Sequence, residues 1–349
     1  MLLLNPGPVT LSERVRRSLL LPDLCHRESE FFALQDEIRE RLLATYHLDP
    51  SVWTAVLMTG SGTAAVESMT AALVPAAGKL LNLENGVYGD RIAQMCAQYG
   101  IAHERVIGSW MEALDVPVVA SGAFTHVAVV HHETTTGRLN DLRPVLKLCR
   151  ERGMGLLVDG VSSFGAEDID FTDESLQAVA AAANKCLHGV PGASFVIVRR
   201  AALAKAASRT YYLDLGRLAR MQDQRNTPFT PAVHAYYALV EALREFVDEG
   251  GRAARFKRYA ALAEQVRAGL AEFGINPVIA PEQSSVVLRS YHLPAGTPYS
   301  KLHDDLKAQG FVIYAGQGDL SKTLFRISTM GAVTSADMNR LLKCFAQRA

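Results

Sequence analysis

The chain is poor in cysteine, has no net charge and lacks a long apolar run, and each shortage excludes something. Five cysteines (Cys25, Cys96, Cys149, Cys186 and Cys344) are scattered over 349 residues. Their number is odd, their spacings are wide and no C-x-x-C occurs. Neither a disulfide framework nor a metal cluster is expected, and a reducing compartment fits. Lys+Arg and Asp+Glu both number 36, which leaves no basic excess for nucleic acid or an anionic membrane. No apolar stretch reaches transmembrane length. The opening Met1-Leu2-Leu3-Leu4 is too short for a signal h-region and runs into Asn5-Pro6-Gly7-Pro8. Repeats and low-complexity tracts are also missing. These features predict a cytoplasmic protein and ask for neither nucleic acid nor a membrane as partner.

What is present is a rhythm. After an irregular stretch over 1–30 and a helical spacing over 31–46, apolar runs alternate with amphipathic ones. Strands are predicted at 54–58, 79–83, 126–131, 156–158, 178–182 and 194–198. Helices are predicted at 63–73, 91–99 and 142–150. Alternation of this kind predicts an α/β large domain with a mainly parallel sheet sandwiched by helices. Residues 200–250 read as helical, broken at Asn226-Thr227-Pro228. A long helix over 253–273 leads to a β-α-β-β-α pattern, hence a smaller α+β C-terminal domain. The boundary is placed near 250, giving 1–250 and 251–349.

Ligand sites in such sheets lie at the carboxyl ends of the strands, so those ends carry the functional information. The apolar run Gly155-Leu156-Leu157-Val158 ends in Asp159, and Lys185 follows 26 residues later among small residues. An acid at a buried strand end followed by such a lysine suits pyridoxal phosphate: the lysine forms a Schiff base, and the acid keeps the pyridine nitrogen protonated. Gly60-Ser61-Gly62-Thr63-Ala64-Ala65 follows a strand and opens a helix, which suits a phosphate. It equally matches the dinucleotide fingerprint, with Glu84 as a ribose-binding acid, so a nicotinamide-dependent oxidoreductase stays open here. Tyr88, between glycines in Asn85-Gly86-Val87-Tyr88-Gly89, is expected on a tight loop where it could lie flat on an aromatic cofactor. In His131-His132-Glu133-Thr134-Thr135-Thr136-Gly137 the adjacent histidines point to opposite faces and cannot easily share a metal, whereas the threonines offer hydroxyls. Arg326, inside the apolar run Leu324-Phe325-Arg326-Ile327-Ser328, suits a bidentate oxyanion or a structural ion pair.

Taken together, these segments resemble fold-type I, class V pyridoxal phosphate aminotransferases, and within them the 2-aminoethylphosphonate–pyruvate aminotransferase family. The carrying runs are Asn5-Pro6-Gly7-Pro8, Gly60-Ser61-Gly62-Thr63, Asn85-Gly86-Val87-Tyr88-Gly89, Glu133-Thr134-Thr135-Thr136-Gly137, Ser162-Ser163-Phe164-Gly165, Asn184-Lys185-Cys186 and Gly189-Val190-Pro191-Gly192. The resemblance spans nearly the whole chain. It implies an enzyme with pyridoxal 5'-phosphate as cofactor, Lys185 as Schiff-base lysine and proton shuttle, and Asp159 on the pyridine nitrogen. Tyr88 and Val161 would take the two ring faces. Ser61, Gly62, Thr63 and Asn184 would hold the phosphate. Thr135, with Thr134 as nearest rival, would reach the ring hydroxyl. Arg326 and Gly7 would contact substrate. Thr230 would reach the cofactor phosphate of a neighbouring subunit, which implies a homodimer with shared sites. Two segments depart from the pattern. Residues 25–31 (Cys-His-Arg-Glu-Ser-Glu-Phe) replace a tryptophan- and aspartate-rich stretch. Ser328, followed by Thr329, stands where a glycine is expected two residues after the arginine. Both are expected to approach substrate, which keeps a related aminophosphonate, or alanine or serine, in view as donor. A desulfurase would need a mobile cysteine, and Cys186 abuts the lysine instead.

Overall fold

The computed structural model describes residues 1–119 and 122–347. Seven strands form the central sheet, in the spatial order Trp53–Gly60, Gly192–Arg199, Leu176–Ala182, Gly155–Asp159, His126–Val130, Lys79–Glu84, Ala102–Ile107. All are parallel to their neighbours except Gly192–Arg199, which runs antiparallel to both of its own. The apolar runs read as buried strands are buried: His126–Val130 and Gly155–Asp159 are covered on both faces. One core cluster, with Phe31, Ile38, Val127, Leu156 and Leu239, lies on one side of the sheet. A second, with Val66, Met69, Ile92, Ala128 and Leu157, lies on the other. Alternate residues of one strand therefore feed both layers, as helices on both faces require.

The sequence missed the strand Ala102–Ile107, which takes the sheet edge and is largely exposed. Its His103-Glu104-Arg105 core has no apolar rhythm because only one side of an edge strand is paired. The stretch 1–30 also holds a short helix, Glu13–Ser18, capped by the Ser12 hydroxyl. The helix predicted over 91–99 runs from Val87 to Gln98.

Beyond the Val233–Asp248 helix, the 21-residue helix Gly251–Ala271 leads to a three-stranded sheet, Leu288–His292, Leu324–Ser328 and Tyr314–Ala315 in spatial order. The apolar run 311–314, one strand of the β-α-β-β-α pattern, divides. Phe311–Val312 pairs with Leu2–Leu3 near the N-terminus, while Tyr314–Ala315 pairs with Leu324–Ser328. Leu4 is buried in the cluster built around Leu270, Phe311, Phe325 and Leu341. The N-terminal segment thus packs on the C-terminal unit before it reaches the large sheet, and this route carries Pro6 and Gly7 past the strand ends.

Candidate active site

Four strand ends and the N-terminal segment converge on Lys185. The lysine follows the Leu176–Ala182 strand, and its Nζ donates to the Pro6 carbonyl. Gly7 sits at φ 123°, and a Cβ there would lie 2.8 Å from the lysine Nζ. Only a glycine lets the backbone pass this close in that conformation. Burial lowers the Lys185 amine to about 8, because an ammonium loses hydration there. Asp159 is buried and is pushed up to about 6 by the same cause, while the Val161 N–H, Arg91 and Lys185 act in the opposite direction. Its Oδ1 accepts that N–H at 2.9 Å.

A slot opens between Tyr88 and Val161. Its walls include Gly62, Thr63, Arg91, His132 and Asp159. A Cβ on Gly62 would fall 2.6 Å from Val161 Cγ1, so the glycine permits the helix start to close over the valine. Tyr88 lies in the first turn of the Val87–Gln98 helix, not on a tight loop. Helical geometry aims its ring into the slot, with the Arg91 guanidinium 4.8 Å from the ring centre. Arg91 also donates to the Thr63 hydroxyl at 3.1 Å. Ser61 is the exposed N-cap residue of the Gly62–Leu73 helix, whose free N–H groups face the same strand ends. Asn184 is half-buried beside the lysine.

The three threonines are buried; the Thr135 hydroxyl is engaged, whereas Thr134 Oγ1 and Thr136 Oγ1 have no protein hydrogen-bond partner. Thr135 donates its hydroxyl to Glu133 at 2.6 Å, accepts the Val87 N–H at 3.1 Å and lies 3.1 Å from the Gln317 side-chain amide. Thr134 Oγ1 and His132 Nε2 are buried and have no protein hydrogen-bond partner. His132 donates through Nδ1 to the Ser162 carbonyl at 2.9 Å, which leaves Nε2 as the acceptor of a neutral ring. Burial lowers the ring to about 4. His131 points the other way and meets Ser163 Oγ at 3.0 Å, so the two imidazoles do not share a site. Orphaned buried atoms of this kind fit a bound group with a polar rim. The donor set of a lysine, an acid, hydroxyls and a helix N-terminus fits pyridoxal phosphate.

Arg326 is buried. Its Nε donates to the Ala315 carbonyl at 2.8 Å and one Nη to the Thr134 carbonyl at 2.9 Å. Burial lowers it, and Tyr88, Tyr299 and Glu133 act to raise it. Backbone acceptors rather than a carboxylate hold the guanidinium, so its charge stays available to an anionic substrate.

Other residues do not join the site. Thr230 is exposed on a surface loop beside Phe229, Tyr212 and Pro231. The Cys25–Phe31 segment lies by that loop: Arg27 reaches the Thr227 carbonyl at 3.3 Å. Ser328 and Thr329 are buried and spend their hydroxyls on Val287 and Val286 carbonyls, at 3.1 and 2.9 Å. Glu84 pairs with Arg105 on the edge strand at 2.5 Å, which occupies the acid a dinucleotide would need. A separate crevice of about 1700 Å³ between Tyr46, Trp53, His131 and Arg252 carries none of the expected residues. Sequence reasoning gave no part to Gln317 or Arg91, and to Glu133 none beyond its place in the run 133–137. The signal for Glu133 was its position, an acid inside a buried strand end. No signal marks Gln317.

A model of the family described as aminotransferase class-V matches residues 118–330. A 2-aminoethylphosphonate–pyruvate transaminase of Bacillus cereus is 37% identical over 100% of this chain and 98% of its own. One of Vibrio cholerae is 37% identical over 98% and 95%. Among solved structures, an aspartate aminotransferase of Thermus thermophilus superposes with TM-score 0.91 at 26% identity, covering 99% of this chain and 98% of its own. An alanine–glyoxylate aminotransferase of Nostoc gives 0.90 at 27%, covering 99% and 94%. Sheet order, the lysine after its strand and full-length similarity agree, and the chain belongs to the class-V aminotransferase family.

Proposed function

We propose that the chain moves the amino group of 2-aminoethylphosphonate to pyruvate, giving phosphonoacetaldehyde and alanine, with pyridoxal 5'-phosphate as cofactor. The observation that carries this reading is the full-length likeness, at 37% identity, to transaminases named for that pair of substrates. When bound, the cofactor supplies an electron sink for the charge left on a carbon that loses its proton.

The chain's own groups do the rest. Lys185 anchors the cofactor through Nζ. Its amine, lowered to about 8, is the base that takes the donor-carbon proton and the acid that returns one. Asp159 would face the pyridine nitrogen and keep it protonated. Tyr88 and Val161 would hold the ring from its two faces. Ser61, Gly62, Thr63 and Asn184 would take the phosphate. Thr134 is the better candidate for the ring hydroxyl, because the Thr135 hydroxyl is already engaged by Glu133. Arg326 would clamp the phosphonate of one substrate and the carboxylate of the other, beside Gly7.

The same reading makes the enzyme a homodimer. Tyr211, 73% exposed, and Tyr212, 45% exposed, ring Phe229 next to Thr230. A second copy would bury these rings and bring Thr230 to its own cofactor phosphate. It divides the chain at 250/251 and places it in the cytoplasm, where free thiols stay reduced. Among the described residues, no helix is long and apolar enough to cross a membrane.

The test is the absorption spectrum of the purified holoenzyme with 2-aminoethylphosphonate and no keto acid. Loss of the yellow band, restored by pyruvate, is expected. A yellow protein that ignores the phosphonate but bleaches with alanine or serine would move the donor and keep the reaction class.

A further inference from the structure

We infer that Glu133 is a positioning residue whose buried carboxylate fixes the first turn of the Val87–Gln98 helix, and with it the Tyr88 ring, against the cofactor slot. The inference rests on the pyridoxal phosphate reading above. The helix begins without a side-chain cap of its own: its N-cap residue is Gly86. The first N–H groups of a helix need acceptors, and here they are supplied from a different strand end. The Tyr88 N–H donates to Glu133 Oε2 at 3.2 Å, and the Gly89 N–H also bonds to this carboxyl. The Val87 N–H donates to Thr135 Oγ1 at 3.1 Å, and Thr135 is itself held by Glu133 through its own N–H at 3.1 Å and its hydroxyl at 2.6 Å. One fully buried carboxyl thus organises both the turn that carries the ring and the threonine run beside it.

The steric arrangement is specific to that carboxyl. A Cβ on Gly86 would fall 2.2 Å from Glu133 Cδ. Gly86 has φ 177°, an extended conformation open to any residue, so the glycine is needed for space and not for its dihedral freedom. Burial pushes the Glu133 carboxyl up to about 7, against the hydrogen bonds from Thr135 and Gly89, and a helix N-terminus favours its charged form. Removing it leaves the Tyr88, Gly89 and Thr135 N–H groups without their acceptor. The turn is then free to shift, and Tyr88, which has no other tie at its backbone N–H, shifts with it.

The experiment measures the dissociation constant of pyridoxal phosphate from the full-length apoprotein, by absorption and by quenching of intrinsic fluorescence, for wild type, Glu133→Gln, Tyr88→Ala and the double variant. Glu133→Gln is expected to weaken binding by about 10- to 100-fold, the range for removing a group that orients a ligand-binding residue. In the Tyr88→Ala background the same change should cost less than about threefold, since the two act through one contact and are not additive. Wild-type affinity in folded Glu133→Gln overturns the inference, and so does a full penalty that persists without Tyr88. If Glu133→Gln does not fold, Gly86→Ala displaces the carboxylate while keeping its charge. Weakened binding then supports the inference, and unchanged binding overturns it. A wild-type protein that takes up no pyridoxal phosphate would overturn the functional reading as well, so the two failures are distinguishable.

Discussion

Lys185 stands between two buried polar groups that differ in one respect. Behind it, Arg255 is 1% exposed, pairs with Glu249 at 2.8 Å and donates to the Cys186 carbonyl. His188 accepts the Gly331 N–H at 2.9 Å and meets the Tyr259 hydroxyl. Every one of these contacts is made by the protein to itself, and they tie the lysine turn to the Gly251–Ala271 helix. In front of it, Asp159 and Lys185 are both pushed toward their neutral forms, and Thr134 Oγ1 and His132 Nε2 have no protein partner. Burial is alike on the two sides, and satisfaction is not. Buried polar groups that are satisfied internally build a scaffold, whereas those that face a slot unsatisfied serve a ligand.

The contrast can be broken by mutation, beginning on the front. Lys185→Ala should abolish alanine formation, a loss beyond the ~10⁴-fold ascribed to a positioned acid–base group alone. A variant with near-normal kcat would sink the assignment. Asp159→Asn should retain the cofactor band yet lose roughly 10²-fold or more in kcat, because the charge it holds is needed only as the reaction proceeds. Equal rates in a steady-state assay would remove it from the site. Arg255→Met probes the back. It should lower apoprotein stability by about 1–3 kcal/mol, because the buried Cys186 carbonyl loses its donor while Glu249, 32% exposed, keeps its access to solvent, with little change in the bound-cofactor spectrum. A denaturant titration checks this, and an altered spectrum with unchanged stability would dissolve the distinction between the two sides. Arg326→Ala should raise KM for phosphonate and pyruvate about tenfold, as expected for a charge-assisted contact. Unchanged KM for both refutes the clamp. The smallest effect is in pH. The Lys185 amine falls from 10.5 to about 8, and only its neutral form captures the cofactor aldehyde. The capture rate of the apoprotein, followed by stopped flow, should therefore climb with pH up to about 8 and level above it. A profile still climbing at pH 10 would mean an unshifted amine.

Much of the front was legible in the chain, and little of the back. Asp159 ends an apolar run, Gly60–Thr63 separates a strand from a helix, and Lys185 lies among small residues, so each announces itself through its immediate neighbours. The choice between Thr134 and Thr135 was not legible: it depends on which hydroxyl Glu133 captures, and both lie in one run. Gln317 reaches Thr135 across 182 residues of chain, a distance no periodicity reports. Arg255 reads as one more cation on a long helix until the fold buries it. The edge strand Ala102–Ile107 carries so little apolar pattern because solvent takes one side of it.

Sequence alone determined the alternation of strands and helices, the placement of Asp159 and Lys185 at strand ends, and the family the chain resembles. These follow from local patterning, since each residue's role is set by neighbours within a turn or a strand. Tertiary structure alone decided that Pro6 and Gly7 close over Lys185, that Glu133 caps a helix it does not belong to, and that Ser328 and Thr329 spend their hydroxyls inside the protein. Those outcomes depend on which distant polar groups meet once water is excluded, and a buried donor or acceptor takes whatever partner the packing brings within reach.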